Sequence, residues 1–340
     1  MITIYDIAKR ANVSPATVSR VLNGYPDVSQ KTREKVQRIT EELGFQPNAA
    51  ARGLATKRSW TIGVFFQDHV NSGFKHPFLQ DILKTFKDVM GGKGYDLLFF
   101  ANHTLEGAQD GFAARARHRN VDGVLMLGVP RTEPTLNTLV GAGIPCMSVD
   151  LDLLGPRAGY LCSDNKGGAM QAMDYLVEMG HRRIAFIGDR YSTKPGHDRL
   201  LGYQESLQRF KLPFSQKWIT YGDFTEEGGM EAMKQLLALP MEERPTAVFC
   251  AGDMMAIGAM TAMREAGLTP GDDVSIIGFD DIAYAKYVGL TTIAQQKEEM
   301  GTQTANALLQ LIEDPSQSPP VLTIGTELIV RSTVQRNVVG

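Results

Sequence analysis

The sequence predicts an α/β protein in two parts, a small three-helix head followed by a long body of alternating strands and helices. Three observations carry the prediction. Residues 1–46 hold three short amphipathic stretches with helix start and stop residues around them. From Thr61 onward, brief apolar runs alternate with amphipathic segments, the pattern of βαβ units and parallel sheets with helices on both faces. A chain of 340 residues also exceeds one small domain, so two or three are expected.

In the head, Thr3 precedes Ile4, Ile7, Ala8 and Ala11, an i, i+3, i+4, i+7 stripe, and Asp6 resembles the acid of a capping box. A tight turn at Ala11, Asn12 and Val13 leads to Ser14. Ser14 caps a second helix with Pro15 at its first position, where the missing N–H costs nothing. Val18, Val21 and Leu22 face inward on that helix and leave Pro15, Ala16, Thr17, Ser19 and Arg20 outside. A third helix starts at Ser29, buries Val36, Ile39 and Leu43, and stops at Gly44.

Three short helices, the first two joined by a tight turn, form a helix-turn-helix. Composition alone would also allow a small helical bundle that never meets DNA, as the lesser alternative. The outer face favours DNA. Arg20 carries the donor fork that matches guanine O6 and N7, and Ala16 or the Thr17 methyl can meet a thymine methyl. Ser14, Thr17, Ser19, Asn23 and Lys31 suit phosphates, which position a head without reading sequence. Charge agrees: residues 1–58 hold ten Lys/Arg against five Asp/Glu, although the whole chain is at -3.

Residues 48–55 are short and Ala-rich, and an isolated helix of that length is marginal in water. Gly53 lowers its propensity by roughly 1 kcal/mol relative to Ala. Such a segment can sit near its folding midpoint; an ordinary linker is the lesser alternative.

Beyond it, strands are expected at 61–66, 95–101, 123–127, 144–149, 183–188, 218–221, 246–251 and 274–279. Helices are expected at 78–91, 165–179, 199–210, 225–238 and 254–266, and a break near 155–162 divides the body into similar halves. Ligands of open α/β sheets lie beyond the carboxyl ends of strands. Asp68, Asn71, Asp150, Asp253 and Asp280 fall there, although Asp253 also reads as a helix cap. Carboxylates accept hydrogen bonds from sugar hydroxyls, arginine donates a planar fork, and an aromatic ring covers a pyranose or purine face.

Enzyme signatures are missing. There is no G-x-G-x-x-G after the first strand, no G-x-x-x-x-G-K-[ST], no G-x-S-x-G and no H-x-x-x-H pair. Asp280 and Asp281 are sequence neighbours at a strand end, where side chains point apart, which argues against acid/base work. Cys146, Cys162 and Cys250 are odd in number, widely spaced and set in apolar runs, so buried core thiols are expected rather than disulfides or a metal site. No cofactor is implied. The N-terminus shows no signal-peptide core and no uncharged apolar run reaches 18 residues, which points to a cytoplasmic protein without a membrane span.

The run Thr3, Ile4, Tyr5, Asp6, Ile7, Ala8, followed by residues 13–23 (VSPATVSRVLN), resembles the headpiece of the lactose/galactose-repressor family almost residue for residue. The resemblance extends over essentially the whole chain. It implies a head at 1–46, a hinge helix and linker at 47–60, and an effector-binding domain at 61–340 made of two periplasmic-binding-protein-like subdomains. The first subdomain would span about 61–158 and 292–320, the second about 159–291 and 321–340, with crossovers near 160, 290 and 320.

The family's operator-discriminating positions match Pro15, Ala16 and Arg20. The hinge helix would fold on DNA with Asn48, Arg52 and Leu54 facing it, and Leu54 would wedge between central base pairs of a pseudo-palindrome. Arg199 matches the effector-binding arginine, Asp280 the effector-binding aspartate and Phe224 a ring-stacking position. Asp150 and Gln295 match frequent ligand contacts, and Phe78 follows Pro77 in the usual aromatic stretch.

Two departures bear on the ligand. Gly252 stands where many members carry a ligand-contacting Asn, and the loop at 68–76 is longer than usual, which suits a larger effector. The expected protein is therefore a homodimeric repressor of operator DNA, controlled by a sugar or sugar derivative. A purine-like or protein corepressor is an alternative within that class. From another class, the alternative is an extracellular-type sugar-binding transport protein.

Overall fold

The computed structural model describes residues 2–22, 24–45, 58–66, 76–101, 111–190 and 193–337. The expectations placed on Asn23, Asn48, Arg52, Leu54, Asp68 and Asn71 lie outside the described residues. The chain divides into two compact units, residues 1–60 and 61–340.

The first unit holds α1 (Ile4–Ala11), α2 (Pro15–Leu22) and α3 (Gln30–Glu42). At the start of α1, the Thr3 N–H and hydroxyl both donate to Asp6 Oδ2 at 2.8 Å, which draws the Asp6 carboxyl below its usual range. Asn12 ends α1 in the left-handed region at φ 52°, where Asn is tolerated. Ser14 Oγ accepts the Thr17 N–H at 3.0 Å and Ser29 Oγ accepts the Thr32 N–H at 3.3 Å. Ile7, Ala8, Ala11, Val18, Val21, Val36 and Ile39 form the buried core, with Leu22 and Leu43 half-buried beside it.

The second unit contains two six-stranded sheets. The first is built from β1 (Thr61–Phe66), β2 (Asp96–Phe100), β3 (Gly123–Leu127), β4 (Cys146–Val149), β5 (Ala158–Ser163) and β11 (Val321–Ile324). Its order is β11-β5-β4-β3-β1-β2, and every pairing is parallel. The second sheet has β6 (Ile184–Gly188), β7 (Ile219–Tyr221), β8 (Ala247–Cys250), β9 (Ser275–Asp280), β10 (Thr291–Gln295) and β12 (Thr326–Ile329). Its order is β12-β10-β9-β8-β6-β7, and β12 is its one antiparallel strand.

Eight helices connect these strands among the described residues: α4 (Pro77–Gly92), α5 (Phe112–His118), α6 (Leu136–Val140), α7 (Asn165–Glu178), α8 (Lys194–Arg209), α9 (Glu226–Leu237), α10 (Asp253–Glu265) and α11 (Ala283–Tyr287). A ninth, α12 (Lys297–Glu313), follows β10 and packs on α4, β3, β4 and β5 of the first sheet. β3, β4, β6, β8 and β9 are buried throughout, as parallel strands covered on both faces require. Cys146, Cys162 and Cys250 are free and buried, and burial pushes the Cys146 thiol up to about 12.

The eight expected strands are present, trimmed by one or two residues at several ends. Four more are found: β5, β10, β11 and β12. Residues 155–162 are therefore no mere break, because β5 begins at Ala158. The chain leaves the first sheet after Ser163, returns after Gln295 and leaves it again at Gly325, each a few residues beyond 160, 290 and 320. Each crossing falls at the carboxyl end of a strand, which shifts the boundary.

Packing of α9 on α10 depends on glycine. A Cβ on Gly258 would lie within 1.9 Å of the Glu226 carbonyl oxygen, and one on Gly229 within 2.2 Å of the Met255 carbonyl oxygen. Backbone meets backbone there, so neither neighbour can yield. This packing sets the start of α10 at the edge of the cleft described next.

Candidate functional site: a cleft between two sheets and a helix-turn-helix face

A cleft lies between the carboxyl ends of the two sheets, with about 860 Å³ of empty space when its solvent-open mouth is included. The first sheet's half contributes Phe78, Val129, Arg131 and Asp150 among others; the second contributes Asp189, Thr193, Lys194, Arg199, Asp223, Phe224 and Asp280. Both sheets have the doubly wound order 2-1-3-4-5 in their first five strands, and this is where such folds place ligands.

Arg199, from the first turns of α8, is 2% exposed. Its Nε donates to Asn165 Oδ1 at 2.8 Å and its Nη1 donates to the Ala251 carbonyl. Nη1 also lies 3.6 Å from Asp280 Oδ1. The guanidinium carbon sits 3.7 Å above the Phe279 ring centroid and 6.0 Å from that of Phe224. Burial pulls the Arg199 pKa down, and the carboxylate of Asp280 opposes it. A fork fixed on three sides offers its remaining donors in one direction.

Asp280 ends β9 and is held by a second set of contacts. Gln295 Nε2 donates to its Oδ1 at 2.6 Å, and the Lys297 ammonium donates to its carbonyl oxygen at 2.8 Å. Its φ is 122° and that of Asp281 is 50°, sparsely populated conformations that cost on the order of 1–3 kcal/mol each. Asp281 turns away to pair with Arg331 at 2.7 Å, so the adjacent carboxylates do not share a site.

Asp150 follows β4, with φ 57°. Its Oδ1 is sealed from water and has no hydrogen-bond partner among the described residues. Burial pushes its carboxyl up to about 7, and the Arg199 charge only partly restrains the rise. An orphaned carboxyl oxygen on a cleft wall is an unfilled acceptor or donor for something that enters.

Phe224 lies in the cleft at φ 59°, and Phe78 is buried at the start of α4, edge-on to His76 with centroids 6.4 Å apart. Gly252 explains the ring's place. A Cβ there would come within 3.1 Å of Phe224 Cδ1 and 3.5 Å of Asp280 Oδ2, so glycine leaves ring and carboxylate side by side.

Asp253 and Gln295, expected as ligand contacts, lie outside the cleft lining. Asp253 is fully buried as the first residue of α10, and the N-cap is Gly252. Its oxygens accept the Ile282 N–H at 2.9 Å and the Thr292 hydroxyl at 2.5 Å, which ties three strand ends together. Burial and the nearby Asp280 charge raise its pKa well above the carboxylate range. Gln295 orients Asp280 from behind.

Other lining residues were not anticipated. Asp189 follows β6 and Asp223 follows β7, so the strand-end rule that found Asp150 also covers them. Asp189 Oδ2 accepts the Thr193 N–H at 2.9 Å and fixes the entry to α8; Asp223 pairs with Arg190 at 2.8 Å. Arg131 and Lys194 carried no such signal. They pair with Asp152 at 2.6 Å and Asp198 at 2.7 Å.

On the head, Ser14, Ala16 and Arg20 are exposed, while Pro15, Thr17 and Ser19 are half-buried. Arg20 lies 3.0 Å from Asp27, a solvent-exposed pair that a stronger partner can displace.

Comparison with known proteins accords with this geometry. Residues 3–48 match the family of bacterial regulatory proteins, lacI family, and residues 173–334 match a periplasmic binding protein-like domain. The chain is 34% identical over 339 residues to a probable HTH-type transcriptional repressor, ExuR, of Bacillus subtilis (strain 168), covering 99% of each protein. It is 34% identical to the HTH-type transcriptional regulator CelR of Thermobifida fusca, covering 97% of this chain and 98% of that one. It is 36% identical to the repressor PurR of Escherichia coli O139:H28 (strain E24377A / ETEC), covering 98% and 97%.

Among solved structures, a lac repressor dimer bound to operator and the anti-inducer ONPF superposes with a TM-score of 0.84 at 28% identity, covering 98% of this chain and 99% of that one. A CelR–cellobiose complex gives 0.74 at 31%, covering 98% and 100%. A DNA-reading head joined to a two-sheet binding body, matched end to end by these relatives, places the chain in the lacI family of bacterial regulatory proteins.

Proposed function

We propose that the chain is a cytoplasmic transcriptional repressor that binds a pseudo-palindromic operator as a homodimer, with affinity set by a small neutral sugar or sugar derivative in the cleft. The observation that carries the ligand class is the pairing of the cleft's cations. Arg131, Lys194 and Arg199 each face a carboxylate, so an anionic ligand would have to break an ion pair. Asp150 and Asp280 offer oxygens to hydroxyls, and Phe224 and Phe78 offer ring faces. The solved relative that holds cellobiose supports a carbohydrate, and a purine base, whose face the Phe224 ring could also cover, is the second candidate.

The dimer rests on the lac repressor relative and on the two-fold logic of palindromic operators. The helix-turn-helix sets aside a transport role. We assign binding rather than catalysis, with Arg199, Asp280, Asp150, Phe224 and Phe78 as ligand contacts. Pro15, Ala16, Thr17, Ser19 and Arg20 read or position DNA, with Ser14 at the cap. The proposal keeps Asn23, Asn48, Arg52 and Leu54 as DNA contacts and Asp68 as a ligand contact on sequence grounds alone.

The test has two parts. A palindromic duplex selected from a random pool should bind tightly and lose affinity steeply with salt. A thermal-shift screen of mono- and disaccharides, sugar acids, sugar phosphates and purine bases should then single out a neutral sugar, because a bound ligand at 100 times its Kd stabilises by about 2.7 kcal/mol. Selection of no duplex, or a screen led by anions, would overturn the respective half of the proposal.

A further inference from the structure

The turn that carries Asp280 is held from outside the cleft by a residue that belongs to the other half of the body. Lys297 is the first residue of α12, directly after the chain has crossed back from β10. The helix it opens buries Met300, Gly301, Thr304, Ala305 and Leu308 and packs on α4 and the first sheet. Its side chain points the other way. The ammonium donates to the carbonyl oxygens of both Asp280 (2.8 Å) and Asp281 (2.7 Å), the two residues with left-handed backbone at the end of β9 in the second sheet.

From the far side Arg331, just past β12, donates to the Asp281 carboxylate at 2.7 Å and to the Leu290 carbonyl at 2.7 Å. The Asp280 carboxylate itself meets Gln295 and Arg199. Two adjacent carbonyls turned toward one ammonium give a turn with positive φ a reason to persist.

We propose that Lys297 is a positioning residue for the effector site. Anchored on the first half, its ammonium holds the Asp280–Asp281 turn of the second, so a change in the angle between the halves is felt at the cleft carboxylate. The connection is one hydrogen-bonded side chain long. It rests on the reading of the cleft as an effector site only in its functional half; the hold on the turn stands on geometry.

Hydrogen–deuterium exchange on the full-length chain tests the hold without any ligand. In K297M, residues 280–285 should exchange about 10-fold faster while β6 and β8 keep the parent rate, and K297R should restore protection. Unchanged exchange at 280–285, or a rise shared by β6 and β8, overturns the proposal.

A second arm titrates cellobiose, glucose, glucuronate and hypoxanthine against the protein bound to its selected duplex. Whichever compound alters duplex binding by the parent protein should be needed at about 10-fold higher concentration with K297M, with K297R near the parent and ligand-free duplex affinity unchanged. A parent-like response in K297M overturns the link to the site. If none of the four moves the parent protein, the effector reading fails for those compounds, and the exchange arm alone decides whether Lys297 holds the turn.

Discussion

Arg199 and Asp150 show how a buried charge becomes a binding device. Arg199 has lost its water and received Asn165, the Ala251 carbonyl, Asp280 and the Phe279 face in return. Its planar fork cannot be imitated by a smaller side chain. Arg199→Ala should therefore abolish the response of duplex binding to the effector and leave ligand-free duplex affinity intact; an effector response that survives removes Arg199 from the site. Asp150 is the opposite case, a carboxyl with an unfilled oxygen. Burial raises it to about 7, against roughly 3.9 in an unfolded chain. The folded state thus binds the proton more tightly, and stability associated with this group is present at low pH and lost as pH rises from about 4 to about 7. Asp150→Asn, neutral at every pH, should melt above the parent by a small margin at pH 5 and by a clearly larger one at pH 8. A constant difference across that range in calorimetry would refute the buried-acid reading.

Elements differ in how far their sequences announce them. The three helices of the head begin at Thr3, Ser14 and Ser29, side chains whose capping chemistry is local and needs no tertiary partner. Ser14→Ala should accordingly destabilise the head by about 1 kcal/mol, read as a lower melting temperature of the head. Strands β3, β6 and β8 were legible as unbroken apolar runs, and β9 as the apolar stretch 276–279 between Ser275 and Asp280. By contrast, α12 buries Met300, Gly301, Thr304, Ala305, Ala307, Leu308, Leu309 and Leu311, a face so wide and so rich in small residues that no stripe stands out. β11 and β12 are four-residue edge strands whose pairing depends on distant partners. Site residues divide the same way. Strand-end carboxylates could be found by rule, whereas Lys297 and Asn165 reach the site only through the crossovers. The closeness of α9 and α10 is likewise invisible in sequence until the backbones meet. Gly258→Ala should cost about 1–3 kcal/mol or more, because the methyl would strike the Glu226 carbonyl. A thermal melt within a degree of the parent would show that the helices can separate cheaply.

At the scale of the molecule, two sheets of the same winding order share one cleft, and the chain passes between them after Ser163, after Gln295 and at Gly325. All three crossings lie at carboxyl ends of strands, the same level as Arg199, Asp150 and Asp280. A ligand that bridges the halves therefore acts on their angle where the connections run. If that angle sets duplex affinity, the coupling is a free energy shared by both ligands, typically about 1–3 kcal/mol, or 5–150-fold. Thermodynamics then fixes a relation that needs no further structural assumption. The factor by which the effector changes the Kd for the selected duplex must equal the factor by which that duplex changes the Kd for the effector. Both can be measured at one salt concentration, the first by fluorescence anisotropy of labelled duplex and the second by calorimetric titration of free and duplex-bound protein. Because the head carries ten basic residues against five acidic ones within residues 1–58, salt should weaken both free and effector-bound complexes steeply and in parallel. The ratio between them should stay nearly constant, since the cleft's ion pairs involving Arg199 and Asp280 are buried and poorly screened. A ratio that collapses at higher salt would place the switch in the contacts to DNA instead of in the angle between the two sheets.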